Sequence, residues 1–338
     1  MVPFECLTAT FMVNRMRDAT ICVYLGEEIA QYGFPDGHPW TTTRMDAFWQ
    51  EATRQSLSSK VVIADPVMAQ PEQLHSFHTP QYVELVKRCS DAGEGFLDHG
   101  DTPAFPGIYE AAAYVVGSAV AAAEQIMQQR FRRIFIPIAG LHHAQPDVAG
   151  GFCVFNDAAV VVKHLRKQHG IKKIAYVDID AHHGDGVFYP FEADPHLIFA
   201  DIHEDGRYLY PWCGSEDETG VGPAYGTKVN IPMAPDASDA DFFSAWPRIE
   251  ALLMEHKPEF IILQCGADSL KNDPLTHLAF STAAHSHAAT RLCHMAETLG
   301  HGRVLALGGG GYNLSNVAQG WSAVLRALIE APIIPAQP

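Results

Sequence analysis

Positive charge is scarce in this chain. Its 338 residues carry 23 Lys and Arg against 39 Asp and Glu, a formal net charge of −16 at pH 7. Nucleic-acid binding requires a basic footprint, so that class is set aside. The acidity favours cationic partners instead. Paired cysteines are missing too. Cys6, Cys22, Cys89, Cys153, Cys213, Cys265 and Cys293 are odd in number and scattered, with no C-x-x-C. They read as free thiols of a reducing compartment, not as a disulfide frame or a cysteine zinc site. No run of eighteen apolar residues occurs, so no membrane span is expected. The first twenty residues place Glu5 early and Arg15 and Arg17 late, the reverse of a secretory signal. They read as an N-terminal extension of a cytoplasmic enzyme. Gly308 to Gly311 is not followed by Lys-Ser/Thr, which rules out a Walker loop.

What the chain does have is alternation of strand and helix. With 47% hydrophobic and 18% charged residues it reads as globular. Apolar runs predict strands at 21–25, 61–63, 135–138, 174–180, 197–200, 229–231, 260–265 and 304–307. Between them, helical spacing covers 44–57, 109–129, 156–168, 239–256, 281–299 and about 316–329. Thr79 reads as the N-cap of one further helix. Residues 97–107 and 204–227 are long loops, a feature often tied to function. Several strands have no polar face. This predicts one α/β domain over 1–338, with its core at about 21–329 and no linker or repeat. Its central, mostly parallel sheet of about eight strands carries helices on both faces.

Polar, glycine-rich sequence follows strand after strand, where open α/β sheets bind ligands. In IAYVDIDAHHGDGV, residues 174–187, alternation along a strand points Asp178, Asp180 and His182 the same way. Two carboxylates and an imidazole there are poor core residues and good ligands for a divalent metal. Other strand ends carry His142-His143, Asp268 and Tyr312. Each signal alone is weak: adjacent histidines are common in loops, and Asp268 alone reads as readily as a helix N-cap. Together they describe metal-assisted hydrolysis of an amide or ester, with a histidine taking a proton and a tyrosine donating to the oxyanion.

Five ordered motifs carry a resemblance: Gly140-Leu141-His142-His143-Ala144; Gly151-Phe152-Cys153-Val154-Phe155-Asn156-Asp157; Tyr176 through Val187; Gly266-Ala267-Asp268-Ser269 with Asp273-Pro274-Leu275; and Gly308 through Asn313. They resemble the zinc-dependent histone deacetylase family, within the arginase/deacetylase superfamily, and above all its bacterial branch of acetoin utilisation proteins and deacetylase-like amidohydrolases. The resemblance spans roughly 20–329. It implies removal of acyl groups from lysine in proteins or peptides, with one zinc held by Asp180, His182 and Asp268. It implies His143 as general base and acid, braced by Asp185, and His142 as its electrostatic partner, braced by Asp178. Tyr312 becomes the oxyanion donor. Gly151 and Phe152, with Tyr210 opposite, would wall an acyl-lysine channel, and Asp101 would grip the substrate backbone at its rim. Structural potassium is implied as well. One site would use Asp178, Asp180, His182, Asp201 and Ile202; a second would use carbonyls of Phe191, Asp194, Leu197 and Thr227. Asp201 departs from the serine of many eukaryotic members.

Three other readings remain at this point. An acetylpolyamine deacetylase of the same family often has an acidic residue just after the Asp-Pro pair. Leu275 stands there instead, which suits the neutral stem of an acyl-lysine. A two-metal ureohydrolase would need carboxylates at Gly184 and at Gly266 or Leu270. A non-enzymatic binding protein would not need the intact set of ligands, histidines and tyrosine.

Overall fold

The structure, a computed structural model, describes residues 21–35 and 37–333. The extension expected over residues 1–20 lies outside the described residues. Eight strands form one sheet: β1 (Ile21–Tyr24), β2 (Val62–Ala64), β3 (Arg133–Ile136), β4 (Ile174–Asp178), β5 (Leu197–Glu204), β6 (Lys228–Met233), β7 (Phe260–Gln264) and β8 (Val304–Leu307). Their order is β2-β1-β3-β8-β7-β4-β5-β6, and every neighbouring pair is parallel. The longer helices are α1 (Arg44–Arg54), α2 (Pro80–Ala92), α3 (Ile108–Met127), α4 (Asp157–His169), α5 (Asp239–His256), α6 (Thr282–Thr298) and α7 (Leu314–Glu330).

The inner strands β3, β4, β5, β7 and β8 are buried along their whole length. That follows from their lack of a polar face: a parallel sheet needs apolar residues on both sides. Helix ends follow local chemistry. Thr79 Oγ1 accepts the Tyr82 N–H at 3.3 Å ahead of Pro80, and Gly93 ends α2 in the left-handed region at φ 71°. Asn156 Oδ1 caps α4 by accepting the Ala159 N–H at 2.9 Å.

Several strand bounds differ from expectation, β5 running on to Glu204 and β6 to Met233, and two of the differences bear on the site. The third begins two residues earlier and stops at Ile136, because Pro137 has no N–H to continue the ladder. Arg133 therefore lies inside, 1% exposed, and donates to the carbonyls of Leu328 (2.8 Å), Ala331 (2.7 Å) and Pro332 (2.9 Å). The fourth ends at Asp178, not Asp180. Asp180 and His182 lie beyond it in consecutive turns: Asp178 Oδ1 accepts the Asp180 N–H (3.1 Å), and Asp180 Oδ1 accepts the His182 N–H (3.0 Å). The side chains still converge, by side-chain-to-backbone bonds two residues apart and not by strand alternation. Among the described residues no helix is long and apolar enough to cross a membrane.

Candidate active site

The order of the strands sets β4 between β7 and β5, and β8 between β7 and β3. The loops after β3, β4, β7 and β8 thus meet at the carboxyl end of the sheet, near its middle. They bring His142-His143, Asp180 with His182, Asp268 and Tyr312 together. His182 Nδ1 lies 3.0 Å from Asp180 Oδ1 and 3.2 Å from Asp268 Oδ2. Ligand atoms about 2.0–2.1 Å from a tetrahedral ion stand about 3.3 Å apart, so this set fits zinc. All three residues are buried. Burial and the charge of Asp180 push the Asp268 carboxyl up. Two carboxylates out of water with only an imidazole between them are a poor arrangement without a cation. The positions a second ion would use, Gly184, Gly266 and Leu270, carry no carboxylate, and at Gly266 none has room: a Cβ there would overlap Asp180 Oδ2.

The adjacent histidines have separate braces. His142 Nδ1 lies 2.8 Å from Asp178 Oδ2, and His143 Nδ1 lies 2.6 Å from Asp185 Oδ1. Asp178 Oδ2 also accepts the Tyr176 hydroxyl (2.6 Å), and Asp185 Oδ2 accepts Gln145 Nε2 (3.1 Å). Burial opposes charge on His142, but the Asp178 and Asp180 carboxylates outweigh it and raise it to about 9. Burial and the neighbouring His142 cation lower His143 to about 4, despite Asp185. The surroundings thus favour charge on His142 and disfavour it on His143.

Tyr312 faces the same point. Burial, then the charges of Asp268 and Asp180, push its phenol well above the usual range, so it stays an O–H donor. Its ring packs edge-on against Phe152 (5.9 Å) and Trp40 (6.2 Å). Tyr210 packs edge-on against His143 at 5.0 Å. His142, His143, Asp180, His182 and Tyr312 line a cavity of about 10 Å³, the space of about one water. Gly151 borders it at φ 48°, and a Cβ there would run into the His143 ring and, at 2.9 Å, Tyr210 Cε1. Gly151, Phe152 and Tyr210 thus all lie against His143 or Tyr312. Asp101 is exposed on the rim loop, which Asp98 Oδ1 holds by accepting the Gly100 (2.9 Å), Asp101 (3.0 Å) and Thr102 (3.0 Å) N–H groups. Leu275, 37% exposed, sits on the loop tied to Tyr312 through Asp273: Asp273 Oδ1 accepts the Leu275 N–H (3.0 Å) and Oδ2 the Tyr312 N–H (2.8 Å).

Of the residues expected around potassium, Asp178 and Asp201 are direct partners across β4 and β5, with Ile202 next in β5. Asp201 Oδ2 accepts the Gly184 N–H (2.9 Å), and Oδ1 lies 2.9 Å from His203 Nδ1. Near the second expected group, Lys228 Nζ donates to the carbonyls of Asp194 (2.9 Å) and Leu197 (2.6 Å).

Sequence reasoning missed the residues that hold this machinery in place. Gln264 Nε2 donates to Asp180 Oδ2 (2.8 Å) while Gln264 Oε1 accepts the Gly266 N–H (2.7 Å). Asp157 accepts the N–H groups of Gly140 (2.9 Å) and Leu141 (2.7 Å), fixing the turn before the histidine pair. Arg44 lies over the rings of Trp40 (4.1 Å) and Trp321 (4.9 Å) and donates to Gly309 (2.5 Å) and Gly311 (3.0 Å). It thereby fixes the glycine run before Tyr312. Only Gln264, a polar residue closing an apolar strand, left a trace in the sequence.

Comparison with known proteins agrees with this geometry. The family described as "Histone deacetylase domain" matches residues 38–328. The acetoin utilization protein AcuC of Staphylococcus aureus (strain MSSA476) is 33% identical over 323 residues, 93% of this chain and 82% of that protein. AcuC of Bacillus subtilis (strain 168) is 34% identical over 308 residues, 88% of this chain and 77% of that protein. Among solved structures, the HD domain of HDA15 superposes with a TM-score of 0.84 at 26% identity, over 91% of both chains. The chain has the arginase/deacetylase fold and belongs to the histone deacetylase family of deacetylating hydrolases.

Proposed function

We propose that this deacetylase is a single-zinc amide hydrolase acting on acylated lysine in proteins or peptides. One observation carries the reading: three convergent ligands stand beside two adjacent histidines, each braced by its own carboxylate, and Asp180, His182 and both histidines line one water-sized cavity with Tyr312. Asp180, His182 and Asp268 would hold the ion, which when bound supplies a Lewis acid and an acidified water. His143, neutral at pH 7, takes the proton from the attacking water at Nε2 and passes it to the leaving amine, as a base held by a carboxylate at Nδ1 does. His142, held charged by Asp178, favours negative charge building up beside it. The Tyr312 hydroxyl donates to the carbonyl oxygen as it becomes an oxyanion. Gly151, Phe152 and Tyr210 would enclose the acyl-lysine stem, and Asp101 would accept from the substrate backbone at the rim. One structural potassium would lie by Asp178, Asp180, His182, Asp201 and Ile202, where Asp178 and Asp201 sit side by side on adjacent strands; the second position that the resemblance implies would use the carbonyls of Phe191, Asp194, Leu197 and Thr227. We place the enzyme in the cytoplasm, as one domain.

The acyl-lysine reading over an acetylpolyamine one rests on Leu275, which brings no negative charge to the loop beside Tyr312. The test combines elemental analysis with a substrate panel. About one equivalent of zinc per chain, with faster turnover of acyl-lysine peptides than of acetylpolyamines, is expected. Two equivalents of manganese, or strong preference for acetylpolyamines, would overturn the respective half of the reading.

A further inference from the structure

A second convergence of ligating groups lies where α3 meets α4. Glu124 is in the last turn of α3, and His164 and His169 are in the second half of α4. His164 Nε2 lies 2.6 Å and His169 Nε2 lies 2.7 Å from the same atom, Glu124 Oε1. The rings approach from different sides, their centroids 6.0 Å apart and their planes 63° apart. Two imidazole nitrogens are thus aimed at one point, now filled by a carboxylate oxygen. The side chains are 14%, 22% and 30% exposed for His164, His169 and Glu124, so the point is walled by protein yet open to solvent. A neutral imidazole that donates from Nε2 in one tautomer presents a lone pair there in the other. The two lone pairs would then meet at the same focus. A small rotation of the Glu124 side chain clears that focus for an ion at about 2.0–2.1 Å from each nitrogen.

We propose that Glu124, His164 and His169 bind a divalent transition-metal ion that staples α3 to α4, separate from the active site. Two imidazoles with one carboxylate suit zinc, nickel or copper, and disfavour calcium and magnesium, which take oxygen ligands. Solvent completes the coordination. The staple acts on α4, whose other end holds the histidine-pair turn through Asp157.

The experiment starts from enzyme whose active-site metal is already in place. Titration with Ni²⁺ or Zn²⁺, followed by calorimetry and thermal melting, should find one further equivalent per chain and a rising melting temperature. The His164→Ala/His169→Ala variant should lose that equivalent and the rise, yet keep its active-site metal and kcat. Glu124→Gln, which keeps the shape but removes the charge, should weaken it at least about tenfold, the lower end of what losing even a group that only orients a ligand costs. No further equivalent at about millimolar metal, or one that survives both variants, would overturn the proposal.

An independent observation concerns the second potassium position that family resemblance implies. Two of its four expected carbonyls, those of Asp194 and Leu197, are already taken by a lysine. Lys228 is 1% exposed, and its ammonium donates to Asp194 O (2.9 Å), Leu197 O (2.6 Å) and Thr227 Oγ1 (3.1 Å). An ammonium has three donors, and all three are satisfied there. We infer that Lys228 stands in for the second ion, a cation built into the chain. It pins Asp194 and Leu197, which follow the short helical turns carrying Asp185, the partner of His143.

This inference rests on the potassium reading for its contrast, and the test separates the two. Crystals soaked in rubidium or thallium salts should show no anomalous peak at the Asp194 and Leu197 carbonyls in the wild type. Lys228→Ala should gain a peak there, and its melting temperature should respond more steeply to K⁺ over choline. A peak beside Asp201 in both proteins reports the first site independently. A wild-type peak at the Asp194 carbonyl, or a Lys228→Ala protein with neither a peak nor a steeper response, would overturn the inference.

Discussion

Replacing Gln264 with Leu tests whether the metal ligands are held by the sheet behind them. Asp180 Oδ2 accepts two hydrogen bonds, from Gln264 Nε2 and from the Gly310 N–H, both at 2.8 Å. Leucine has nearly the same volume but neither donor nor acceptor. Asp180 keeps the Gly310 bond and loses the other. The Gly266 N–H, now 2.7 Å from Gln264 Oε1, is left buried without that acceptor. Orphaning such a donor costs about 1–3 kcal/mol. Loss of a group that orients a metal ligand typically lowers metal affinity or activity 10–100-fold. Because the Gly310 N–H still donates to Asp180 Oδ2 and the His182 N–H to Oδ1, we expect the lower end, about tenfold in zinc affinity. The assays are chelator competition for zinc, thermal melting of the zinc-free protein, and kcat/KM on an acetyl-lysine peptide. The zinc-free melting temperature should fall, because Gly266 and Asp180 each lose a buried partner, and saturating zinc should recover part of the loss. A variant with zinc affinity within twofold of wild type and an unchanged melting temperature would refute the reasoning.

His143→Ala should lose about 10²–10⁴-fold in kcat with zinc retained, the cost of removing a proton-transfer group. His142→Ala should be milder, and Tyr312→Phe should lower kcat about 10²–10³-fold with little change in KM. Near wild-type turnover in His143→Ala would remove it as the base. Gly151→Ala should cut turnover while leaving the fold intact, because its Cβ meets the His143 ring; steady-state kinetics with circular dichroism decide this. Stability should fall as the pH drops below about 6.5. Burial lowers His78 to about 3 and His301 to about 4, so the unfolded chain takes up these protons first. Chemical denaturation between pH 4 and 8 measures this, and His301→Asn should flatten the slope. Leu275→Glu should shift preference toward acetylpolyamines in a competition assay, and no shift would remove Leu275 as a selectivity residue.

The sequence made the chemistry legible because reactive groups must be polar, and polar groups at the ends of apolar strands stand out. Asp180, His182, Asp268, His142, His143 and Tyr312 all follow strands with no polar face. Parallel order was legible for the same reason, since strands buried on both sides need helices to cover them. What the sequence hid is how the turns are held. Strand alternation pointed Asp178, Asp180 and His182 one way, but β4 ends at Asp178 and the next two are set by side-chain-to-backbone bonds. The supports come from elsewhere in the chain: Gln264 from β7, Asp157 from the start of α4, Arg44 from α1. Arg44 is separated by 265 residues from Gly309, whose carbonyl it holds. No local spacing predicts such a pairing, because it exists only once strand order has brought β8 beside β3 and α1 against α7. Lys228 shows the same limit from the other side. A lysine opening a strand reads as a solvated charge, and only the folded path of residues 189–197 turns it into a buried cation with three acceptors. Ligand identity is therefore carried by local sequence, whereas ligand geometry is carried by topology. Mutations at the hidden supports should change zinc affinity and rate together, while those at His143 and Tyr312 should change rate alone.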